Sequence, residues 1–561
     1  MAAAPSPSSS ASLSPDPLNV VVVGGGAIGV ATAYYLVTHP KAQEKNIQVT
    51  LIERSGIAAA ASGKAQLLQF GKGKAGAGGF LASDWSDHTP YASLSRLSFS
   101  LHAHLASILG GDVTYGYRPM RALAVEAGEG RKAGGGKKGR AAGGKSGKDG
   151  GEREGEDEEK RNRPDEWVDG DVIGRWEEIG TPTTCAQLHP FCFLHTLFDA
   201  ALATGRLRLL MGYDARGIRY DDGEVVAATD AVPPSGGWLA WLTGTPVSPA
   251  PVAAGGGEEN DPAGGMRRSR SRTSSGKKPR ATGVLVRASG EVPPTTSQGS
   301  LDEGAVGSGA QLSLQPDTSP ADDTTCPHAP PAPSRAHSHP HVRMPTPSYH
   351  IPGSGTSRAD PGEESVVPAD VVVLATGAWA GEAGGWLPGA VRWPKIAYGH
   401  RSHSIILRPK DPVSPTALFV TYRNPPHSID PEIFPRPDGN VYVCGASDDV
   451  VLPSSAALCA PDPASCELLR GVAGKLSTAL DGAVEHKTQA CWVPRVGDRP
   501  LIGWVGGVEG VAVGTGHTVW GILNSPATGK VLSELIVDGE VTCLDSSGFM
   551  EKGGKMWSKG W

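Results

Sequence analysis

The chain has 561 residues, including 76 glycines, 47 prolines and eight cysteines, and its formal net charge is −6. This mildly acidic balance argues against a general nucleic-acid binder, and no apolar run approaches the roughly 18 residues that a membrane-spanning helix needs. The cysteines form no CxxC pair, which argues against a zinc site or a disulfide framework and predicts a reducing, cytoplasmic location.

The N-terminus and two long internal stretches lack the composition of a folded core. Residues 1–17 contain neither an apolar centre nor Lys or Arg, so we expect a disordered tail, with a short plastid-targeting remnant as the alternative. Residues 126–165 and 247–365 have too few apolar side chains to offset the entropy of ordering, so both are predicted as disordered inserts that could bind protein partners. The apolar run at 281–291 is the exception and predicts a strand.

The most informative stretch follows the tail. Residues 19–23 are a β-branched run that predicts a buried parallel strand, and Gly24, Gly26 and Gly29 follow in the spacing G-x-G-x-x-G before a helical pattern. In a dinucleotide-binding unit the first glycine permits the tight turn, the second lets the backbone approach a pyrophosphate and the third lets helix pack on strand. The helix N-terminus would supply free N–H groups to the phosphates.

A second predicted strand, 47–53, ends in Glu53. An acid at this place accepts hydrogen bonds from ribose hydroxyls and disfavours the 2′-phosphate of NADP. A lone glycine motif is weak evidence, but strand, glycines, helix, strand and terminal acid in this order predict dinucleotide binding.

Two later segments favour FAD over NAD. Residues 369–380 predict a buried strand that runs into Ala-Thr-Gly, as in flavoproteins with this fold. Residues 500–539 predict a strand, a glycine-flanked turn and a helix from Pro526 to Val537. The N-terminus of such a helix can stabilise the negative charge of a reduced flavin.

Together these motifs resemble the FAD-dependent oxidoreductases of the D-amino-acid oxidase and sarcosine oxidase type. The segments "ASGKA…GGFLASDW", "ATGAWA" and "GTGHTVWGILNSPATGK" carry the resemblance, and "PEIFPRPDGNVYVCG" is similar to a eukaryotic branch with fungal endosomal members. A peripheral place on endosomal membranes is therefore a further alternative for location. The resemblance implies an α/β fold with a Rossmann-like FAD-binding domain, a discontinuous antiparallel-sheet substrate domain and the two disordered inserts.

The resemblance also implies where the domains divide. The FAD-binding domain is expected from residues 18–84, 166–206, 366–390 and 485–545, and the substrate domain from 85–125, 207–246 and 391–484.

The resemblance further implies a set of FAD contacts. They are Gly24, Gly26, Ala27, Ile28 and Gly29 in the first turn; Glu53, Arg54, Ser62, Lys74, Gly78 and Gly79 in and after the second strand; Thr376 and Gly377; and Gly516, His517, Trp520, Gly521 and Ile522. His517 is also a candidate for a covalent flavin link or for a base. The loop repeats "GKA", and we expect residues 66–75 to bulge away from the cofactor.

The substrate contacts are less determined. Arg401 and His403 lie two apart on a predicted strand and so on one face, where they could contact an anionic substrate, although a surface-facing polar strand explains them equally well. Many amine-oxidising relatives carry an arginine in A-C-x-R-P that clamps the substrate carboxylate. Here Val493 stands at that place, so either Arg495 substitutes for it or the substrate has no carboxylate.

The resemblance implies a FAD-dependent oxidoreductase that oxidises a C–N bond of a small amine or amino acid by hydride transfer to flavin N5. The electrons would pass to O2 or to another acceptor. Two alternatives stay open: a FAD-dependent 2-hydroxy-acid dehydrogenase, and a flavin-binding interaction or trafficking protein with vestigial catalysis. No metal site and no nucleic-acid partner are predicted.

Overall fold

A computed structural model describes residues 16–60, 77–128, 164–227, 277–289, 362–394, 400–424 and 427–558. Most of the N-terminal tail and of both inserts lies outside the described residues, as does the repeated "GKA" loop with Ser62 and Lys74.

The strands in chain order are β1 (Leu18–Val23), β2 (Ile47–Glu53), β3 (Phe80–Ala82), β4 (Arg118–Pro119), β5 (Arg121–Ala127), β6 (Ile173–Gly180), β7 (Cys185–Gln187), β8 (Leu207–Met211), β9 (Tyr213–Tyr220), β10 (Val225–Ala227), β11 (Ala281–Ala288), β12 (Glu364–Pro368), β13 (Val371–Leu374), β14 (Arg401–Arg408), β15 (Thr416–Asn424), β16 (His427–Ile429), β17 (Glu432–Pro435), β18 (Val441–Asp448), β19 (Val484–Trp492), β20 (Leu501–Trp504), β21 (Val511–Thr515), β22 (Met550–Glu551) and β23 (Lys555–Met556). The α-helices are α1 (Ala27–Val37), α2 (Ala92–Leu109), α3 (Gly111–Thr114), α4 (Pro190–Leu202), α5 (Ala380–Ala383), α6 (Pro463–Leu476) and α7 (Gly521–Val537). Short 3-10 turns cover Gly377–Trp379, Gly384–Trp386, Ala456–Leu458 and Thr518–Trp520.

Sheet 1 has the strand order β22-β23-β20-β21-β13-β1-β2-β8. Its centre is parallel, with β1 between β2 and β13, so that Val22 lies opposite Leu51 and Val373. The valines at 20–23 are buried because both faces of the sheet are covered. Helices α1, α2, α4 and α7 pack on one face, and the small antiparallel sheet β10-β9-β11-β12 packs on the other.

The parallel strands β1, β13 and β21 deliver their C-terminal ends to one edge of sheet 1. Each is followed at once by a turn or helix start: α1 after β1, the turn Gly377–Trp379 after β13, and the turn Thr518–Trp520 with α7 after β21. In an open α/β sheet this edge is where ligands bind.

Sheet 2 has the order β19-β14-β18-β17-β15-β5-β6 and is antiparallel except for the β15–β5 pair. One face packs on α6 through a cluster that includes Ile405, Val443 and Leu469. The opposite face carries Phe434 and Tyr442, which pack in one cluster with Phe80 of β3. Sheet 2 therefore turns its aromatic face towards β3 and Gly78, which precedes it.

The α/β fold class with a second, largely antiparallel sheet is confirmed, and the strand predicted at 281–291 is present as β11. The predicted domain boundaries differ from the pairing in three places. β6 and β19, placed in the FAD-binding domain by sequence, pair in sheet 2, and β8, placed in the substrate domain, pairs with β2 in sheet 1. Strand patterns alone do not specify a partner, since pairing depends on residues far along the chain.

Within the described residues, no helix is long and apolar enough to cross a membrane. The cytoplasmic location stays a prediction.

Candidate functional site

A cavity lies at the edge of sheet 1 where β1, β2, β13 and β21 end. The structure brings together there these residues that the sequence analysis had named: Gly24, Gly26, Ala27, Ile28, Glu53, Arg54, Thr376, Gly377, His517 and Gly521. The lining continues to the end of β19 through Cys491, Trp492 and Val493. The cavity thus runs from the dinucleotide motif of sheet 1 to β19, the edge strand of sheet 2.

The three glycines of the first motif have different surroundings. Gly24 has φ +108°, and a Cβ there would lie 2.4 Å from the Ala375 carbonyl oxygen. A Cβ on Gly29 would lie 1.8 Å from the Gly24 carbonyl oxygen, so this glycine lets α1 pack against the turn. A Cβ on Gly26 would meet nothing within 4 Å, although Gly26 lines the cavity. Gly24 and Gly29 are therefore needed by the fold itself, and Gly26 leaves room for a ligand.

Glu53 is fixed at the tip of β2 by backbone amides. Its Oε2 accepts a hydrogen bond from the N–H of Gly25 at 2.7 Å, and its Oε1 accepts from Ser55 at 2.8 Å and Gly56 at 3.2 Å. Burial raises the pKa of Glu53, and these donors oppose that rise. The carboxylate ties the glycine turn to the chain after β2 and presents an acceptor to the cavity.

Other features of the lining suit an anionic dinucleotide. The Thr376 hydroxyl is buried and has no hydrogen-bond partner among the described residues. Neither α1 nor α7 has a side-chain N-cap or an acidic residue in its first turn, so both N-termini present free N–H groups. FAD carries a pyrophosphate and ribose and ribityl hydroxyls, so these donors and acceptors fit it.

The segment 449–462, called the strap here, crosses the cavity between β18 and α6. Three side chains of the cavity lining hold its carbonyl oxygens: Trp492 donates to Val450 at 2.9 Å, Trp379 to Pro453 at 2.8 Å and Arg54 to Ser454 at 2.5 Å. The strap residues that line the cavity are Ser455, Ala456 and Cys459.

The sequence analysis missed the strap, which has no motif of its own. It also missed Asp214, which lines the cavity and pairs with Arg54 at 2.5 Å. The side chain of Arg54 is therefore shared between the strap and Asp214.

The turn after β21 is stabilised from within. The His517 Nε2 lies 2.9 Å from the Thr528 hydroxyl, and burial lowers the pKa of His517 to about 3, so the ring is neutral near pH 7. Gly516 has φ +80° and lies against Val496. Trp520 packs edge-on against Trp85.

Helix α7 begins at Gly521, five residues before the predicted start, and contains Pro526. Proline has no N–H to donate to the Ile522 carbonyl. The His102 Nε2 at 3.0 Å and the Ser525 hydroxyl at 3.0 Å contact that carbonyl oxygen instead. The helix can therefore continue through the proline, and its N-terminus reaches the cavity.

Gly78 and Gly79 lie beside sheet 2 and outside the cavity lining. A Cβ on Gly78 would lie 2.3 Å from the Phe434 ring, and Gly79 has φ +79° with the Leu188 carbonyl oxygen 2.0 Å from its would-be Cβ. Sequence analysis explained both glycines by contact with a flavin. Packing against sheet 2 and backbone conformation are already sufficient reasons for them.

The predicted catalytic residues do not line the cavity. Arg401 pairs with Asp448 and donates to the Ala460 carbonyl at 2.9 Å. The fully buried His403 lies on the same face, with Nε2 3.9 Å from Asp448. Arg495 is exposed, whereas Val493 lines the cavity. A catalytic role for these three residues stays a prediction.

Comparison with known proteins then decides the family. Residues 19–255 and 348–535 match the family model described as FAD dependent oxidoreductase. The chain belongs to this family. FAD is accordingly the cofactor of this FAD dependent oxidoreductase, and the cavity is the place whose residues suit it.

Two curated fungal relatives span nearly the whole chain. "Putative oxidoreductase C1F5.03c" of Schizosaccharomyces pombe is 24% identical over 549 residues, covering 95% of this chain and 99% of the relative. "Putative oxidoreductase TDA3" of Saccharomyces cerevisiae is 24% identical over 616 residues, covering 94% and 93%.

Solved structures share the fold at low sequence identity. Glycine oxidase of Geobacillus kaustophilus superposes with a TM-score of 0.52 at 14% identity, covering 95% of this chain and 98% of that one. Glycine oxidase of Bacillus cereus gives 0.51 at 15% identity, covering 93% and 97%.

Proposed function

We propose that this FAD dependent oxidoreductase oxidises a C–N bond of a small amine or amino acid. One observation carries the proposal: the cavity of sheet 1 reaches β19 of sheet 2, and the aromatic side chains of Trp379 and Trp492 are part of its lining. Trp520, next to the cavity-lining Gly521, belongs to the same apolar cluster as Phe80, Phe434 and Tyr442. Aromatic rings beside the site exclude water, and this exclusion of water favours hydride transfer.

Different regions of the cavity would bind different parts of the cofactor. Gly24, Gly26 and the N–H groups at the start of α1 would bind the pyrophosphate, and Glu53 would bind the adenosine ribose. Thr376 and the N-terminus of α7 would bind the more distant part of the cofactor. When bound, FAD supplies the hydride acceptor.

The chain's own contribution to the reaction would be orientation rather than proton transfer. His517 has a pKa of about 3 and is engaged by Thr528, which makes it a poor proton acceptor near pH 7. An amine that arrives unprotonated needs no such base. Positioning beside the cofactor would then provide most of the rate enhancement.

Anaerobic mixing tests this function. We expect the oxidised-flavin absorbance of the purified protein to bleach with at least one member of a panel of small amines and amino acids. Bleaching by 2-hydroxy acids alone would replace the proposal with the dehydrogenase alternative. A protein that holds FAD but bleaches with none of these compounds would support the interaction-protein alternative. Comparing the rate at which O2 reoxidises the reduced flavin with the rate for a dye then identifies the electron acceptor.

A further inference from the structure

The buried face of α2 carries three polar side chains where apolar ones would be expected. Ser95, Ser98 and His102 lie three and four residues apart, so they share one face of the helix, and they are buried together with Leu94 and Leu105. A helix that only filled the core would have apolar side chains at these positions. Each of the three polar side chains instead forms a hydrogen bond to the first turns of α7.

His102 replaces a hydrogen bond that α7 cannot form by itself. An N–H group in a helix donates to the carbonyl four residues back, so Pro526, which has no N–H, leaves the Ile522 carbonyl without its usual donor. The His102 Nε2 lies 3.0 Å from that carbonyl oxygen and 3.1 Å from the Leu523 carbonyl oxygen. Because a carbonyl oxygen only accepts, Nε2 carries the ring proton. Burial lowers the pKa of His102 to about 4, so the ring is a neutral donor near pH 7.

Two serines add to this attachment. The Ala527 N–H, which in an unbroken helix would donate to the carbonyl four residues back, donates to the Ser98 hydroxyl oxygen at 3.0 Å. The Ser95 hydroxyl donates to the Asn524 Oδ1, also at 3.0 Å. The first turn of α7, residues 521–525 and called the lead turn here, is therefore held by α2 as well as by the rest of α7.

The lead turn adjoins the FAD cavity. Gly521 lines the cavity, and the first turn of α7 has neither an acidic residue nor a side-chain cap. The carbonyls of Ile522 and Leu523 belong to the peptide units that carry the N–H groups of Leu523 and Asn524. A hydrogen bond to a peptide oxygen polarises the N–H of the same unit, so His102 increases the positive partial charge at this end of α7.

We propose that His102 is a positioning residue of the cofactor site: it holds the lead turn so that the N–H groups there stabilise the negative charge of reduced FAD. The inference rests on the placement of FAD proposed above, in which the N-terminus of α7 binds the part of the cofactor distant from Glu53. His102 lies outside the cavity lining and acts through the peptide units of α7. Loss of its N–H donor should therefore lower the reduction potential of bound FAD.

Two substitutions of His102 separate the donor from the volume of the side chain. In His102→Gln the amide nitrogen can donate from about the place of Nε2, whereas His102→Met fills a similar volume without a donor. His104→Met, the same change two residues on at the exposed face of α2, is the control. The midpoint potential of the FAD-loaded protein is measured against a reference dye without oxygen, and urea unfolding of the apo form gives the free energy of unfolding.

We expect His102→Met to weaken the binding of reduced FAD relative to oxidised FAD by about three- to tenfold, which lowers the midpoint potential by roughly 15 to 30 mV. His102→Gln should restore most of the potential, and His104→Met should not change it. The same decrease in the Gln and Met variants would overturn the inference. A lower free energy of unfolding in His102→Met with an unchanged potential would show a purely structural role, and that result would overturn it too.

The double variant His102→Met/Pro526→Ala keeps the test decisive if His102→Met does not fold. Alanine at position 526 supplies an N–H that can donate to the Ile522 carbonyl within α7 itself. We expect the double variant to fold with a potential close to that of the wild type, because the missing donor is replaced. A folded double variant whose potential stays about three- to tenfold lower in the same ratio, or a double variant that does not fold, would contradict the inference.

The two proposals fail in different ways, because the potential is measured without an amine. If the potentials follow the expected order and no amine bleaches the flavin, His102 keeps its positioning role and the amine oxidation falls. If amines bleach the flavin and His102→Met has the wild-type potential, the amine oxidation stands and this inference falls.

Discussion

Replacing Gly26 and Gly29 with alanine, one at a time, separates cofactor binding from folding within one motif. The same methyl group is added three residues apart in the same turn. At Gly29 the methyl group would lie 1.8 Å from the Gly24 carbonyl oxygen. At Gly26, which lines the cavity, it would meet no atom within 4 Å. We expect Gly29→Ala to damage the fold and Gly26→Ala to damage FAD binding.

The magnitudes follow from these distances. A carbon needs more than 3 Å from a carbonyl oxygen, so α1 would have to move by over 1 Å, which costs about 3 kcal/mol or more in the free energy of unfolding. Gly26 has φ −80°, which alanine also adopts, so its replacement should cost only about 1 kcal/mol as a helix cap. A methyl group where the pyrophosphate approaches should weaken FAD binding by roughly 10- to 100-fold.

The assay compares the apo forms, because bound FAD itself stabilises the fold. Urea unfolding gives the free-energy change, and flavin fluorescence on reconstitution gives the dissociation constant. Gly389→Ala is the control, since its Cβ also meets nothing within 4 Å and the residue is exposed away from the cavity. The reasoning is refuted if Gly26→Ala binds FAD as wild type does, or if its apo form is destabilised as much as that of Gly29→Ala.

Three further predictions concern the strap, the carboxylate position and pH. Arg54→Ala removes a hydrogen bond to the strap, so it should speed FAD release several-fold and lower the free energy of unfolding by about 1 kcal/mol. The control Arg121→Ala, which breaks an exposed ion pair, should leave the rate of FAD release unchanged. Flavin fluorescence during dilution measures the release rate of both variants. Val493→Arg places a guanidinium in the cavity lining and should let N-methylglycine bind and bleach the flavin; an unchanged response would show that position 493 does not face the substrate. Burial lowers the pKa of four histidines to about 3 or 4, namely His102, His189, His195 and His517. Because the unfolded chain then binds more protons, stability should fall as the pH drops below about 6.5, by roughly 2 kcal/mol for each histidine at pH 5. A urea midpoint that is constant between pH 7 and pH 5 would contradict this.

Local patterns predicted the parts of the site that are contiguous in sequence. The strand, glycines and Glu53 of the first unit could be read directly, because each residue there has one steric or hydrogen-bonding task. The start of α7 could not, because Pro526 normally limits a helix, and the contacts that replace its missing N–H at the Ile522 carbonyl come from Ser525 and from the distant His102. Strands β6, β8 and β19 pair outside the domain predicted for each of them for the same reason: their partners could not be read from the local sequence.

The shared face of sheet 2 is the extreme case of such long-range assembly. Gln489 and Glu432 lie three strands apart, and although Glu432 is in the segment PEIFPRPDGNVYVCG, only the register of β19, β14, β18 and β17 reveals that they share a face. The dinucleotide edge of sheet 1 is built from backbone N–H groups and glycines, which bind the same cofactor whatever the substrate is. Discrimination between substrates must therefore come from side chains on the facing sheet. Val493 bears on that discrimination, because it lines the cavity without a positive charge at the place where an arginine would bind a carboxylate.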